Sequence, residues 1–135
     1  MPGETDLQKL LGSMSPELLP GIFVFATLLP GTPMPAGINP VMIFRESEGD
    51  TLILLEEEAR AADLLAVFPS RMITLNVQSS LDAVGFLAAI TTRLATAGMG
   101  VNPVSGYFHD HLFVPADHAE EAMTVLRALA GDNRG

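Results

Sequence analysis

The stretch M-I-T-L-N-V-Q-S-S-L-D, residues 72–82, decides which fold this chain adopts. Its part I-T-L-N-V-Q alternates apolar and polar side chains, which is typical of a strand with one buried face. Ser79 lies three residues before Asp82, a spacing at which a serine hydroxyl caps a helix N-terminus. Apolar residues then recur at helical spacing until Gly98, which suits the left-handed position that ends a helix. The stretch therefore predicts a strand that leads directly into a helix starting near Leu81.

The same reading, extended in both directions, predicts two similar halves. The second half continues with strands at residues 100–108 and 112–114 and a helix at 119–129. The first half has strands at 22–28, 41–45 and 51–55 and a helix at 56–65, but its first helix is replaced by the Pro-rich loop 30–37. This order predicts an α+β fold, an antiparallel sheet with helices on one face, built as a two-unit pseudo-repeat. The predicted domains are an N-terminal helical segment (1–20), a degenerate first half (21–70) and a second half (71–131).

Composition excludes several classes of function. The 135 residues carry a net charge of −9, from 16 acidic and 7 basic side chains, so binding to nucleic acid or to an anionic membrane surface is not expected. There is no cysteine, which removes disulfides and thiol chemistry and suits a reducing compartment. No signal peptide, spanning segment or Gly-rich phosphate loop is recognisable. The prediction is a cytoplasmic protein with no cofactor.

Two longer runs give the chain a family resemblance. I-T-L-N-V-Q-S-S-L-D-A-V-G-F-L-A-A (residues 73–89) and V-N-P-V-S-G-Y-F-H-D-H-L-F-V-P (residues 101–115) resemble the ACT-domain family, in particular its small bacterial stand-alone tandem members. The resemblance implies ferredoxin-like βαββα units that pair side by side, bind small amino acids and regulate an enzyme, here in trans. A homodimer or higher homo-oligomer is therefore expected. Gln78 departs from the group, in which histidine is expected at this position.

The predicted ligand site is the junction between the strand and the helix of the second half. Its backbone N–H groups lie at a helix N-terminus, which attracts a carboxylate, and Gly85 allows a ligand to approach closely. By resemblance, the opposing wall belongs to a strand of a paired unit. The candidate ligand-binding residues are Gln78, Ser79, Ser80, Leu81, Val84, Gly85, Asn102, Pro103 and Val104. The alternative is that the serines only cap the helix and Gly85 only packs against the sheet.

The segment H-D-H, residues 109–111, gives a second hypothesis. It is predicted to form the turn between two strands, where aspartate is a favoured residue. A zinc site there would need a further ligand, such as Asp117 or His118.

No residue is predicted to be catalytic. The main prediction is a non-catalytic regulatory module that binds an amino acid. The alternatives are a metal-binding protein or metal-dependent hydrolase that uses His109 and His111, and an assembly protein without a ligand.

Overall fold

The structure, a computed structural model, describes residues 5–77 and 79–134. In chain order these residues form α1 (Leu7–Ser13), β1 (Pro16–Leu18), β2 (Phe23–Leu28), β3 (Met42–Glu46), β4 (Gly49–Leu55), α2 (Glu56–Ala61), β5 (Ala66–Leu75), α3 (Phe86–Thr96), β6 (Asn102–Ser105), β7 (Asp110–Pro115) and α4 (Ala119–Asp132). They divide into two units, and the α+β fold class predicted from the sequence is confirmed.

The inserted unit is the contiguous stretch Gly21–Ser70. Its strand order is β3-β4-β2-β5, and each of these neighbouring pairs is antiparallel. Residues 29–41 form no helix or strand, as the Pro-rich composition predicted, so α2 is its one described helix. Ala59 of α2 packs against one face of the sheet, together with the buried side chains Val24, Ala26, Leu28, Leu52 and Leu54.

The bipartite unit joins the described residues before Gly21 to those after Ser70. Its strand order is β1-β5-β7-β6, in which β5 contributes its C-terminal part. β1 is the N-terminal segment, and it pairs antiparallel with β5 so that Pro16 lies opposite Leu75. The helices α1, α3 and α4 close a single apolar core that includes Leu10 and Met14, both fully buried. The N-terminal residues therefore complete the sheet and the core of this unit.

Several predicted boundaries were wrong. β5 begins at Ala66 rather than Met72, β1 was not predicted, and α2 ends at Ala61. The helix predicted from Leu81 begins at Phe86, because the residues after β5 first form turns rather than helix. The helix end was predicted correctly, since Gly98 has a φ of +87° just after α3. In the described part of the chain, no helix is long and apolar enough to cross a membrane.

Candidate functional site

A small cleft opens in the bipartite unit where the loop after β5 meets α3. Its volume is about 130 Å³. The cleft is lined by Ser80, Leu81, Ala83, Gly85, Leu87, Ala88, Ser105 and Asp110. Because drug-sized ligands occupy clefts of about 300 Å³ or more, this volume suits only a ligand of few heavy atoms.

The start of α3 forms one part of this cleft. Gly85 precedes the helix with a φ of +92°, a left-handed conformation that costs glycine little and other residues about 1–2 kcal/mol. None of the described side chains caps the helix, and its first backbone bond runs from the Ala89 N–H to the Gly85 carbonyl. The N–H groups of residues 86–88 precede that bond, as the first N–H groups of any helix do. This end of α3 therefore offers backbone donors and a partial positive charge to the cleft.

Asp110 supplies the negative charge of the cleft. It is the first residue of β7 and is only 6% exposed. The Ser79 hydroxyl donates a hydrogen bond of 3.1 Å to Asp110 Oδ2. The serine predicted to cap α3 therefore holds this carboxylate instead. Ser80 is not the cap either, because its Oγ accepts a 3.1 Å bond from the Asp82 N–H within the loop.

The H-D-H segment is not the turn that the sequence predicted. The turn lies one step earlier, where the Gly106 N–H donates to the His109 carbonyl at 2.9 Å. A Cβ at position 106 would lie 3.1 Å from that carbonyl oxygen, so the turn favours glycine. Asp110 and His111 belong to β7, opposite Ser105 and Val104 of β6. Their side chains are therefore positioned by the strand rather than by a loop.

His111 is held by the sheet. Its Nδ1 lies 3.0 Å from the Thr74 hydroxyl oxygen. Burial lowers the pKa of His111, the charge of His109 lowers it further, and the neighbouring Asp110 carboxylate acts in the opposite direction. His109 Nδ1 lies 3.3 Å from the Val77 carbonyl oxygen, which links the β6–β7 turn to the end of β5.

The metal-site alternative gains no support from this geometry. Across residues 5–77 and 79–134, no group of three or more histidine and carboxylate side chains is arranged to hold a metal ion. His118, the third ligand considered, instead lies 3.5 Å from the Glu121 carboxylate and 3.9 Å from that of Asp117.

The predicted ligand-binding residues have different locations. Ser80, Leu81 and Gly85 line the cleft, whereas Ser79 reaches it only through Asp110. Val84 is exposed outside the described lining. Asn102, Pro103 and Val104 lie on β6, at the edge of the strand order, and the lining residue of that strand is Ser105. Gln78 lies outside the described residues.

Two polar residues that line the cleft, Asp110 and Ser105, were not among the ligand-binding residues predicted from the sequence. Asp110 was assigned to a turn, and only its pairing with Ser105 across β6 and β7 brings both to the cleft. The alternating pattern of D-H-L-F-V-P is weak, because three of its last four residues are apolar. No local signal distinguished the strand from the turn here.

Larger open clefts, of about 370 and 350 Å³, flank α2 in the inserted unit. The larger one includes the exposed Arg60 and the partly buried Glu56, which lie 3.6 Å apart. Neither cleft contains a buried charged side chain. The cleft at the start of α3, with the buried carboxylate of Asp110, is therefore the better candidate for specific recognition of a ligand.

Comparisons with known proteins agree with the fold. Family models described as ACT domain match residues 2–71 and residues 67–128. A Vibrio cholerae protein of unknown function, described as a possible transport protein, is 42% identical over 92% of this chain and 95% of its own, with a TM-score of 0.83. An Agrobacterium tumefaciens protein is 22% identical over 87% of this chain and 89% of its own, with a TM-score of 0.74.

The ligand-free regulatory subunit of aspartate kinase from Thermus thermophilus has a similar fold. It is 13% identical to this chain over 87% of this chain and 99% of its own, with a TM-score of 0.66. At this identity the likeness concerns the fold alone. A search among curated proteins finds no significant match.

Proposed function

Because this chain belongs to the ACT-domain family, whose members are regulatory domains that bind small molecules, we propose that it is a non-catalytic module whose ligand is a small amino acid. The proposed binding site is the cleft of the bipartite unit. The observation that carries the proposal is the presence, in that one cleft, of the start of α3, which no described side chain caps, and the buried carboxylate of Asp110.

These two features match the two charges of an amino acid. A ligand carboxylate is stabilised by free N–H groups and by the dipole at a helix N-terminus. A ligand ammonium group is stabilised by Asp110, whose carboxylate keeps one bond from Ser79. The small volume, about 130 Å³, favours a ligand with a short side chain. An anion without an amino group would be repelled by the Asp110 carboxylate, because it has no positive charge to pair with it.

The remaining parts of the proposal follow from the family. We propose that Gln78, Ser79, Ser80, Leu81, Val84 and Gly85 form the rim of the site, with Asn102, Pro103 and Val104 of a second copy as the opposing wall. The protein would then act as a homodimer or higher oligomer, in the cytoplasm, on a partner enzyme in trans. We propose residues 21–70 and 71–131 as the two ACT-like domains, with residues 1–20 as an N-terminal segment that packs with the second.

Thermal-shift measurements with each of the twenty amino acids test the proposal. A ligand at 100 times its dissociation constant adds about 2.7 kcal/mol to the stability of the folded state. For a chain of this size that corresponds to a rise in melting temperature of about 8 °C. The proposal fails if none of the twenty raises the melting temperature of the wild-type protein.

A matched pair of variants locates the site. Asp110→Asn keeps an acceptor for Ser79 but removes the charge, so it should abolish the shift given by the active amino acid. Asp117→Asn removes a carboxylate of the same type that is exposed, and it should leave the shift unchanged. Equal shifts in both variants would place the ligand elsewhere.

A further inference from the structure

The loop between β5 and α3 forms one wall of the cleft at the start of α3. Four of its residues line the cleft: Ser80, Leu81, Ala83 and Gly85. The core holds the C-terminal end of this loop, because Phe86, the first residue of α3, is only 3% exposed. The loop itself belongs to none of the helices and strands named above. The position of this wall therefore depends on the contacts that hold the other end of the loop.

The Val77 carbonyl is the point at which the first part of the loop is held. The Val77 N–H donates to the Leu75 carbonyl at 2.7 Å, and the Ser79 N–H donates to the Val77 carbonyl at 3.1 Å. His109 Nδ1 lies 3.3 Å from the same carbonyl oxygen. Because a carbonyl oxygen only accepts hydrogen bonds, Nδ1 carries the proton of this bond. The His109 ring therefore joins the loop to the β6–β7 turn.

A second hydrogen bond runs beside this one and differs in its relation to the ligand. The Ser79 hydroxyl donates to Asp110 Oδ2, so the consecutive residues 109 and 110 hold positions 77 and 79 of the loop. Asp110 is the proposed partner of the ligand ammonium group, which would share its carboxylate with the Ser79 hydroxyl. The His109 bond involves no group that the ligand is proposed to contact. It can therefore hold the loop both before and after the ligand binds.

The backbone of His109 is well fixed for such an anchor. The Gly106 N–H donates to the His109 carbonyl at 2.9 Å and closes the turn that precedes β7. Asp110 follows as the first residue of β7, and the next residue, His111, lies with its Nδ1 3.0 Å from the Thr74 hydroxyl oxygen. The imidazole ring of His109 thus extends from a backbone that the hairpin and the sheet keep in place.

We propose that His109 is a positioning residue of the amino-acid site. Its hydrogen bond to the Val77 carbonyl holds the loop wall of the cleft at the distance from Asp110 that a small amino acid requires. This inference deepens the proposed function and rests on it. A preorganised site binds its ligand more tightly, because binding does not have to order the loop. Without the His109 bond, part of the binding free energy is used to order the loop, and the affinity falls.

The place of the donor atom in the side chain makes this role testable. Nδ1 of histidine is attached to Cγ, and so is the amide nitrogen of asparagine. The amide nitrogen of glutamine lies one carbon further from the backbone. Asparagine and glutamine are both uncharged, so a comparison of the two is independent of any effect that a histidine charge has on the ligand ammonium group.

Isothermal titration calorimetry with glycine, L-alanine and L-serine, which have short side chains, measures the affinity. His109→Ala and His109→Gln should each weaken binding about 10-fold, the factor that corresponds to the loss of one hydrogen bond. His109→Asn retains the donor at Cγ and should stay within about 2-fold of the wild type. His118→Ala is the control, because His118 is an exposed histidine near Glu121 in the same unit, and it should bind like the wild type. Circular dichroism and melting temperatures without ligand verify folding.

The comparison of asparagine with glutamine decides the outcome. Weak binding by His109→Gln and restored binding by His109→Asn support the proposal, and this pair is sufficient if His109→Ala does not fold. A His109→Asn variant that binds no more tightly than His109→Gln overturns the proposal, because the affinity then does not depend on a donor at Cγ. The proposed function stands in that case, provided that the wild type binds. A wild-type protein that binds none of the three amino acids overturns both the small-amino-acid site and the role of His109.

Discussion

Replacing Leu10 with alanine tests whether α1 belongs to the core of the bipartite unit. Leu10 is fully buried, among side chains of α3, α4 and the sheet. Removal of three carbon atoms from such a position costs about 3–5 kcal/mol, because the lost burial is followed by a residual cavity. With a urea m-value of about 2 kcal/mol per molar, the unfolding midpoint should fall by about 2 M.

Leu7 provides the internal control, since it lies one turn earlier on the same helix and is 38% exposed. Leu7→Ala should cost about 1 kcal/mol or less, and any effect of helix propensity is common to both variants. Urea unfolding is followed by far-UV circular dichroism and by the fluorescence of Tyr107, the only tyrosine, which reports on the bipartite unit alone. Equal losses for the two variants would refute the packing of α1 in this core.

Two further predictions concern glycines and pH. Gly12→Ala should destabilise the protein by about 1–3 kcal/mol, because its Cβ would lie 2.6 Å from the Asn133 carbonyl oxygen. Gly131→Ala, whose Cβ would have no atom within 4 Å, should raise the free energy of unfolding by about 0.5–1 kcal/mol. Urea titrations in which both variants change the free energy of unfolding in the same direction would contradict this. Burial lowers the pKa of His111, so the unfolded chain binds its proton more readily and stability is lost as the pH falls below about 6.5. As the pH is lowered from about 8 to 5, the melting temperature should fall more steeply for the wild type and for His118→Gln than for His111→Gln. Parallel curves for all three proteins would show that His111 does not cause the loss of stability.

The sequence predicted elements whose signal is local. The alternating stretch before Ser79 became the end of β5, and Gly98 terminates α3 as its conformational freedom suggested. Residues 29–41 form a loop because prolines and glycines disfavour both helix and strand. Apart from β1, the order of the elements and the fold class could therefore be inferred without any tertiary information.

The prediction failed where distant residues decide the structure. β1 is three residues long and begins with Pro16, and it is a strand because β5 supplies its hydrogen-bonding partner. Ser79 has the spacing of a helix cap, but its hydroxyl donates a hydrogen bond to Asp110, which lies far along the chain. The cleft could be located only in part, because one wall of it comes from the pairing of β6 with β7.

The origin of β1 and α1 has a consequence for the order in which the chain acquires structure during synthesis. These elements are made before the inserted unit, but the part of β5 that pairs with β1 and the helix α4 that contacts α1 are made after it. The β3–β4 hairpin closes a short loop and can form early, whereas the pairing of β1 with β5 closes a longer one, which slows it. Until α3 and α4 have both been made, Leu10, Leu11 and Met14 cannot complete their core, and the nascent chain exposes these apolar side chains.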